Sequence, residues 1–173
     1  MQMMKMTNTS PVPPARFKPA GTLTHVSLCD RPKCIPKRRR HTASQKDGLK
    51  FEEAVLDSLH KSLSGVIVPG MWLGFRSKEY PGLRYAQPDG VYFEPRWGRI
   101  TIIECKLRHT EKAWWQLRTL YEPLIRFVFP DWDVDVCEVF KYNNRDVRMP
   151  EPILYVQKVT AEVDRFKAHK WRV

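Results

Sequence analysis

Gln87-Pro88-Asp89-Gly90-Val91-Tyr92-Phe93 and Ile100-Thr101-Ile102-Ile103-Glu104-Cys105-Lys106 are the two runs of sequence that decide the fold of this chain. The residues between them, 94–99, include Pro, Gly and charged side chains, which are typical of a turn. The pair therefore predicts a β-hairpin or two neighbouring strands. The β-branched side chains at the start of the second run fit a pleated, buried surface.

Side chains on the second strand alternate between two faces, because a strand has a period of two residues. One face carries Ile100, Ile102, Glu104 and Lys106, and the other carries Thr101, Ile103, Cys105 and Leu107. A carboxylate and an amine thus follow two isoleucines on a face directed into the core. Charges there are costly unless they are paired or bind a metal. The alternative is a strand that ends in solvent, with Glu104 and Lys106 as ordinary surface charges.

A second carboxylate, Asp89, opens the first strand and shares a face with Val91 and Phe93. If the two strands pair, Asp89 and Glu104 lie side by side. Neighbouring carboxylates repel each other unless a cation lies between them. Oxygen ligands from one or two carboxylates, completed by water and phosphate, are typical of Mg²⁺ sites. The hairpin therefore predicts a divalent-cation site.

Pro88-Asp89 and, fifteen residues later, Glu104-Cys105-Lys106 resemble the signature of the PD-(D/E)XK nuclease superfamily. The similarity extends from about Lys46 to Tyr142. It implies an α/β fold with a restriction-endonuclease-like αβββαβ core, in which a mixed central sheet is flanked by helices. We expect this domain over residues 44–173, preceded by a disordered basic tail over residues 1–43.

The resemblance also implies roles for individual residues. Asp89, Glu104 and the backbone carbonyl of Cys105 are expected to hold Mg²⁺ or Mn²⁺. Lys106 is expected to orient or help to deprotonate the attacking water. Members of the superfamily often carry a further Glu on the helix before the strands, and Glu52, within Gly48-Leu49-Lys50-Phe51-Glu52, matches that pattern.

Helical spacing supports the choice of Glu52. Ser44 and Asp47 resemble a capping box, which predicts a helix from about Gln45 to Leu63 that ends at Gly65. Glu52 falls within the apolar stripe of this helix, whereas Glu53 lies on its flank. The stripe is formed by Leu49, Val55, Leu56, Leu59 and Leu63.

A second helix is predicted from Thr110, as N-cap, to about Phe129, with a kink at Pro123. Some exonucleases of the superfamily carry a Gln and a Tyr on the corresponding helix, with a spacing one residue shorter than that between Gln116 and Tyr121. Gln116 is therefore a candidate accessory residue. Further strands are predicted at Asp133–Phe140 and Pro152–Val159, and a short C-terminal helix over Thr160–Trp171.

The chain of 173 residues has 30 Lys and Arg against 19 Asp and Glu, a formal charge of +11. This excess favours a polyanionic partner, most simply nucleic acid. Four consecutive cations, Lys37, Arg38, Arg39 and Arg40, are candidate phosphate contacts, or else a solvated charge run. Nearby, Cys29, Cys34 and His41 offer three candidate zinc ligands without an evident fourth.

The sequence thus predicts a Mg²⁺-dependent deoxyribonuclease that hydrolyses phosphodiester bonds, with branched or processed DNA of phage or bacterial DNA metabolism as one setting. The alternative is a non-catalytic nucleic-acid-binding protein on the same fold. We expect an intracellular, cytoplasmic protein without a membrane partner, because signal-peptide and membrane-spanning patterns are lacking. A homodimer is compatible with these features.

Overall fold

The structure, a computed structural model, describes residues 18–35, 41–142, 155–157 and 167–171. The strands within these ranges are β1 Leu23–Cys29, β2 Val66–Pro69, β3 Trp72–Ser77, β4 Arg84–Ala86, β5 Gly90–Glu94, β6 Arg99–Arg108, β7 Asp133–Tyr142, β8 Tyr155–Gln157 and β9 Lys167–Trp171. The helical segments are α1 Ala43–Ser62, a 3₁₀ turn Pro95–Trp97, α2 Glu111–Gln116, a π-helical turn Leu117–Tyr121 and α3 Glu122–Val128.

A mixed six-stranded sheet, in the order β2-β5-β6-β7-β9-β8, lies at the centre. β5 and β6 form the predicted antiparallel hairpin, in register from Gly90 opposite Ile103 to Glu94 opposite Arg99. β6 and β7 are parallel, and α2, the π turn and α3 provide the crossover that parallel neighbours require. The predicted α/β class, with a mixed sheet flanked by helices, is confirmed. A smaller antiparallel sheet has the order β1-β3-β4.

Helices cover both faces of β6, as its alternation of side chains predicts. Ile100 and Ile102 pack into a cluster with Leu117 and Leu124 from the crossover. Ile103 and Cys105 pack on the opposite face with side chains of α1. The strand is therefore buried on both sides from Ile100 to Cys105, a stretch that includes Glu104, whereas Lys106 is partly exposed.

The prediction that residues 1–43 lack regular structure is wrong for Leu23–Cys29, which form β1. This strand pairs antiparallel with β3, and Leu23 and Val26 pack against the main core. The short alternating stretch of apolar and β-branched side chains fits an edge strand once β3 supplies a partner. The prediction for the remaining positions 1–17 and 36–40 lies outside the described residues.

Helix α1 begins two residues earlier than predicted, and its capping box is formed by Thr42 and Gln45. Thr42 Oγ1 accepts the Gln45 N–H at 3.3 Å, and Gln45 Oε1 accepts the Thr42 N–H at 3.1 Å. The buried stripe is Phe51, Val55 and Leu59, whereas Leu49 and Leu63 are exposed. No helix within the described ranges is both long and apolar enough to span a membrane.

The predicted second helix is interrupted by the π-helical turn before Pro123. Pro123 has no N–H to donate to the carbonyl of Thr119, four residues earlier. That carbonyl instead accepts the N–H of Ala20 at 2.8 Å, so the segment that leads into β1 is tied to the crossover. Thr110 is the N-cap of α2 as predicted, since its hydroxyl accepts the Ala113 N–H at 3.3 Å.

The predicted C-terminal helix over 160–171 is wrong for its last residues, because Lys167–Trp171 form strand β9. β9 pairs antiparallel with β7 and covers what would otherwise be an exposed sheet edge. Local preference for a helix is therefore overridden by pairing with a distant strand.

Candidate metal centre at the end of β6

The pairing of β5 with β6 brings Asp89 to Glu104. Gly90 lies opposite Ile103, so the register continues to Asp89 beside Glu104. Asp89 precedes β5 and turns its carboxylate to the β6 backbone, where Oδ2 accepts the Cys105 N–H at 2.7 Å. This hydrogen bond fixes the Asp89 side chain beside β6, directly before the first residue of β5.

Glu104 and Lys106 share the face of β6 predicted for them. Glu104 is 2% exposed, and its Oε1 contacts the Lys106 ammonium. The other carboxylate oxygen, Oε2, is buried without a hydrogen-bond partner. An unsatisfied buried carboxylate oxygen is costly, and a bound cation would remove that cost.

Glu52 reaches the same group from α1. It is half-buried and interacts electrostatically with Asp89 and Lys106, whereas Glu53 is exposed. The predicted distinction between these neighbouring acids is confirmed as far as burial and surroundings are concerned. Glu52 lies beside the buried stripe of α1, which places it at the boundary between helix and sheet.

The carboxylates at this site have a raised affinity for protons. Burial, followed by the nearby charge of Asp89, raises the pKa of Glu52 to about 7, although Lys106 opposes the shift. Burial also raises the pKa of Glu104 to about 7 despite the Lys106 ammonium, with Asp89 and Glu52 adding to the increase. Burial raises the pKa of Asp89, opposed by the Cys105 N–H. The carboxylates of Glu52, Asp89 and Glu104 therefore all interact with the ammonium of Lys106, and this set of side chains favours additional positive charge.

A cavity of about 200 Å³ gives access to Glu52, Asp89 and Lys106. It is large enough for a hydrated cation, since a water molecule takes about 30 Å³ of liquid volume. His41, which the sequence suggested only as a candidate zinc ligand, is part of the cavity wall. The lining residues are His41, Gln45, Gly48, Leu49, Glu52, Asp89, Cys105 and Lys106.

The donor set fits a hard divalent cation such as Mg²⁺. In a β-strand, the N–H and the C=O of one residue point to the same side. Because the Cys105 N–H is directed to Asp89, the Cys105 carbonyl is directed to that side as well. Asp89, Glu104 and this carbonyl would hold the ion, and Glu52 would complete the set directly or through water. As the described side chains stand, no group of three or more His, Cys, Asp or Glu is arranged to hold a metal ion, and Lys106 contacts the Glu104 carboxylate.

A network of backbone contacts holds the segment that carries Asp89. Gly70 donates its N–H to the Asp89 carbonyl at 3.0 Å, and Gln87 Nε2 donates to the Gly70 carbonyl at 2.9 Å. The Tyr121 hydroxyl donates to the Gln87 carbonyl at 3.1 Å. Gly70 has a φ of 58°, a conformation that glycine adopts without strain, and it turns the chain between β2 and β3.

Gln116 is connected through Tyr121 to Gln87, in the segment that carries Asp89. Gln116 Nε2 donates to the Tyr121 hydroxyl at 3.4 Å. The π turn between them explains how residues five apart meet, since a π turn aligns positions i and i+5. Burial raises the pKa of Tyr121 well above its usual value, and Glu104 and Asp89 contribute to the shift. The extra residue in the spacing is thus accommodated by the π turn.

Glu138 is a buried carboxylate that the sequence analysis missed. It lies on β7 in register with Glu104 and is fully buried. Its Oε1 accepts the Thr110 N–H at 3.0 Å, and its Oε2 lies 2.6 Å from His109 Nδ1. Glu138 therefore ties the start of α2 to β7 and supports the end of β6. The signal for it is the alternation Val134-x-Val136-x-Glu138, which repeats Ile100-x-Ile102-x-Glu104.

Of the remaining candidate residues, Cys29 and Cys34 do not line this cavity. The basic run Lys37–Arg40 lies outside the described residues. Cys29 and Cys34 are free and exposed, and among the described residues they form no metal-binding group with His41.

Comparisons with known proteins give no relative. No family model, no curated protein and no solved structure matches the chain.

Proposed function

We propose that this protein is a divalent-metal-dependent nuclease that hydrolyses phosphodiester bonds of DNA. The observation that carries the proposal is that Glu52 and Asp89 line one small cavity with Lys106, while Glu104 contacts that lysine. Burial and mutual repulsion raise the proton affinity of these carboxylates, and a divalent cation would replace the protons. Such a group has no evident structural purpose at the end of a buried strand.

The order of elements supports a restriction-endonuclease-like core. α1, β2, β5, β6, the crossover and β7 follow the order αβββαβ, with β3 and β4 set aside in the smaller sheet. The acidic pair lies on the central hairpin, where the resemblance to PD-(D/E)XK nucleases requires it. The formal charge of +11 favours a polyanionic substrate.

The chain's own residues have distinct tasks in the proposed reaction. Asp89, Glu104 and the Cys105 carbonyl bind the cation, and Glu52 completes the set directly or through water. When bound, the cation stabilises negative charge on the phosphate and lowers the pKa of a water molecule. Lys106 is held by Glu104, and its ammonium orients the attacking water and stabilises developing charge. The pKa of Lys106 is raised despite burial, because Glu104 favours its charged form.

Incubation of the purified protein with supercoiled, linear and branched DNA tests the proposal. Reactions contain Mg²⁺, Mn²⁺ or EDTA, and Asp89→Asn protein is compared with wild type. We expect cleavage of at least one form with a metal ion, no cleavage in EDTA and no cleavage by Asp89→Asn. Cleavage that persists in EDTA would contradict a metal mechanism. Metal-independent binding to DNA with no cleavage of any form would instead identify a non-catalytic nucleic-acid-binding protein.

A further inference from the structure

His41 immediately precedes the N-cap of α1 and lines the cavity that contains Glu52, Asp89 and Lys106. Within the described part of the chain, its Nδ1 atom is buried and has no hydrogen-bond partner. The ring therefore lines the same cavity as the carboxylates of Glu52 and Asp89. Neither the resemblance nor the proposed reaction assigns a role to this residue.

A buried imidazole nitrogen without a partner carries a desolvation cost of about 1–3 kcal/mol. A histidine with a purely structural role avoids this cost by a hydrogen bond, as His109 does with Glu138 at 2.6 Å. Glu104, whose Oε1 contacts Lys106 of the cavity wall, also has a buried oxygen, Oε2, without a hydrogen-bond partner among the described residues. A shared cation satisfies both kinds of atom, because imidazole nitrogen and carboxylate oxygen are both metal ligands.

We propose that His41 supplies a nitrogen ligand to the divalent cation and thereby makes the site favour Mn²⁺ over Mg²⁺. The inference rests on the proposed function, since it concerns the same cation. Mg²⁺ prefers oxygen ligands, whereas imidazole is a better ligand for transition metals. The site then combines carboxylates from the hairpin and α1 with a nitrogen from the residue before α1.

The position of His41 in the chain adds a consequence for substrate binding. Lys37, Arg38, Arg39 and Arg40 directly precede it. The candidate phosphate contacts are therefore adjacent in sequence to His41, and a cation bound by His41 would link metal binding to engagement of the substrate backbone.

Dissociation constants of Mn²⁺ and Mg²⁺, measured by titration calorimetry without DNA, test this proposal. The proteins are wild type, His41→Gln, His60→Gln and Glu104→Gln. His60 is the matched control, because it is an exposed histidine in the last turn of α1. We expect His41→Gln to weaken Mn²⁺ at least about tenfold, a scale reached even by residues that only support metal ligands. Its effect on Mg²⁺ should be smaller than about threefold, and His60→Gln should match wild type.

Equal Mn²⁺ affinity in wild type and folded His41→Gln protein would overturn the inference, and loss of both ions by Glu104→Gln would leave the proposed metal site in place. If wild type binds neither ion, the proposed function fails as well. Pulsed electron paramagnetic resonance of Mn²⁺ bound to wild type decides the matter without a variant. Coupling to a histidine nitrogen supports the inference, and its absence from bound Mn²⁺ refutes it even if His41→Gln does not fold.

Discussion

Glu52 and Glu53 are adjacent acids on α1 with different surroundings. Glu52 is half-buried beside Asp89 and Lys106, whereas Glu53 is exposed. Helical periodicity predicts the difference, because residues three and four apart share a face and adjacent ones do not. The position of His41 in the cavity wall and that of Glu138 beside Glu104 were not predicted. The role of His41 depends on the direction in which the chain enters α1, and that of Glu138 on the parallel register of β6 and β7.

We predict that Glu52→Gln lowers metal affinity and cleavage at least roughly tenfold, or about 1.4 kcal/mol. The substitution removes a carboxylate from the cation site and keeps the shape of the side chain. Glu53→Gln should have little effect, since Glu53 faces solvent. The measurement is the cleavage rate against Mg²⁺ concentration, with folding checked by thermal melting. Loss of activity in Glu53→Gln alone would mean that the helix is rotated relative to the site.

The raised pKa values predict how the stability of the metal-free protein depends on pH. Glu52 and Glu104 have a pKa of about 7 in the folded state against 4.5 for the free side chain. Between these values the folded state holds more protons than the unfolded state, so this contribution to stability is complete below pH 4.5 and lost as pH rises through 7. We expect urea midpoints in EDTA to fall from pH 5 to pH 8.

Glu52→Gln should reduce that fall, because the glutamine does not titrate, and Glu53→Gln should retain it. Added Mg²⁺ should reverse the trend, since metal ions compete with protons for the carboxylates. A wild-type urea midpoint that is independent of pH in EDTA would contradict the raised pKa values of Glu52 and Glu104.

The elements differ in how far local sequence determines them. The β5–β6 hairpin and the two faces of β6 were predictable, because they depend on alternation and on the turn between the strands. β1 and β9 were not, because each becomes a strand only by pairing with a distant one. The π turn depends on Pro123 together with the distant N–H of Ala20, a combination that periodicity along one helix does not reveal.

The contacts of β1 predict that only the part of the N-terminal segment that includes β1 contributes to stability. Removal of residues 1–17 should leave the thermal midpoint nearly unchanged. Removal of residues 1–30 should lower the thermal midpoint strongly, because Ala20, Leu23 and Val26 would be lost from the core and β3 would lose its pairing with β1. Thermal melting of both proteins by circular dichroism is the measurement. Equal midpoints would show that β1 contributes nothing to the core.

The molecule as a whole combines a basic chain with an acidic site. Its formal charge is +11, yet the carboxylates of Glu52 and Asp89 line the cavity beside Lys106, and Glu104 contacts that lysine. A phosphate drawn to the surface by the excess of Lys and Arg would be repelled by these carboxylates. A bound divalent cation removes the conflict. The positive charge of the chain and the charge of the cavity would therefore both favour a bound phosphodiester only when the metal is present.

Basic residues that directly precede His41 in the sequence should determine the salt dependence of DNA binding. We expect Arg39→Gln with Arg40→Gln to flatten the slope of log affinity against log salt by up to roughly 1.8, or about 0.9 per phosphate contact. Lys61→Gln with Lys78→Gln removes the same charge from exposed positions and should change the slope less. Fluorescence anisotropy at several salt concentrations provides the slopes. Equal slopes for both variants would mean that the basic run before His41 makes no backbone contact.

The rate of Mg²⁺-dependent DNA cleavage by Glu104→Gln protein, compared with wild type and Glu53→Gln, addresses the proposed metal centre most directly. Glu104→Gln removes the charge of the most buried of the three carboxylates and keeps its shape. We predict a loss of at least roughly a hundredfold, or about 2.7 kcal/mol, at saturating DNA, with Glu53→Gln unchanged. Cleavage by folded Glu104→Gln protein at the wild-type rate and Mg²⁺ dependence would contradict a metal centre at the end of β6.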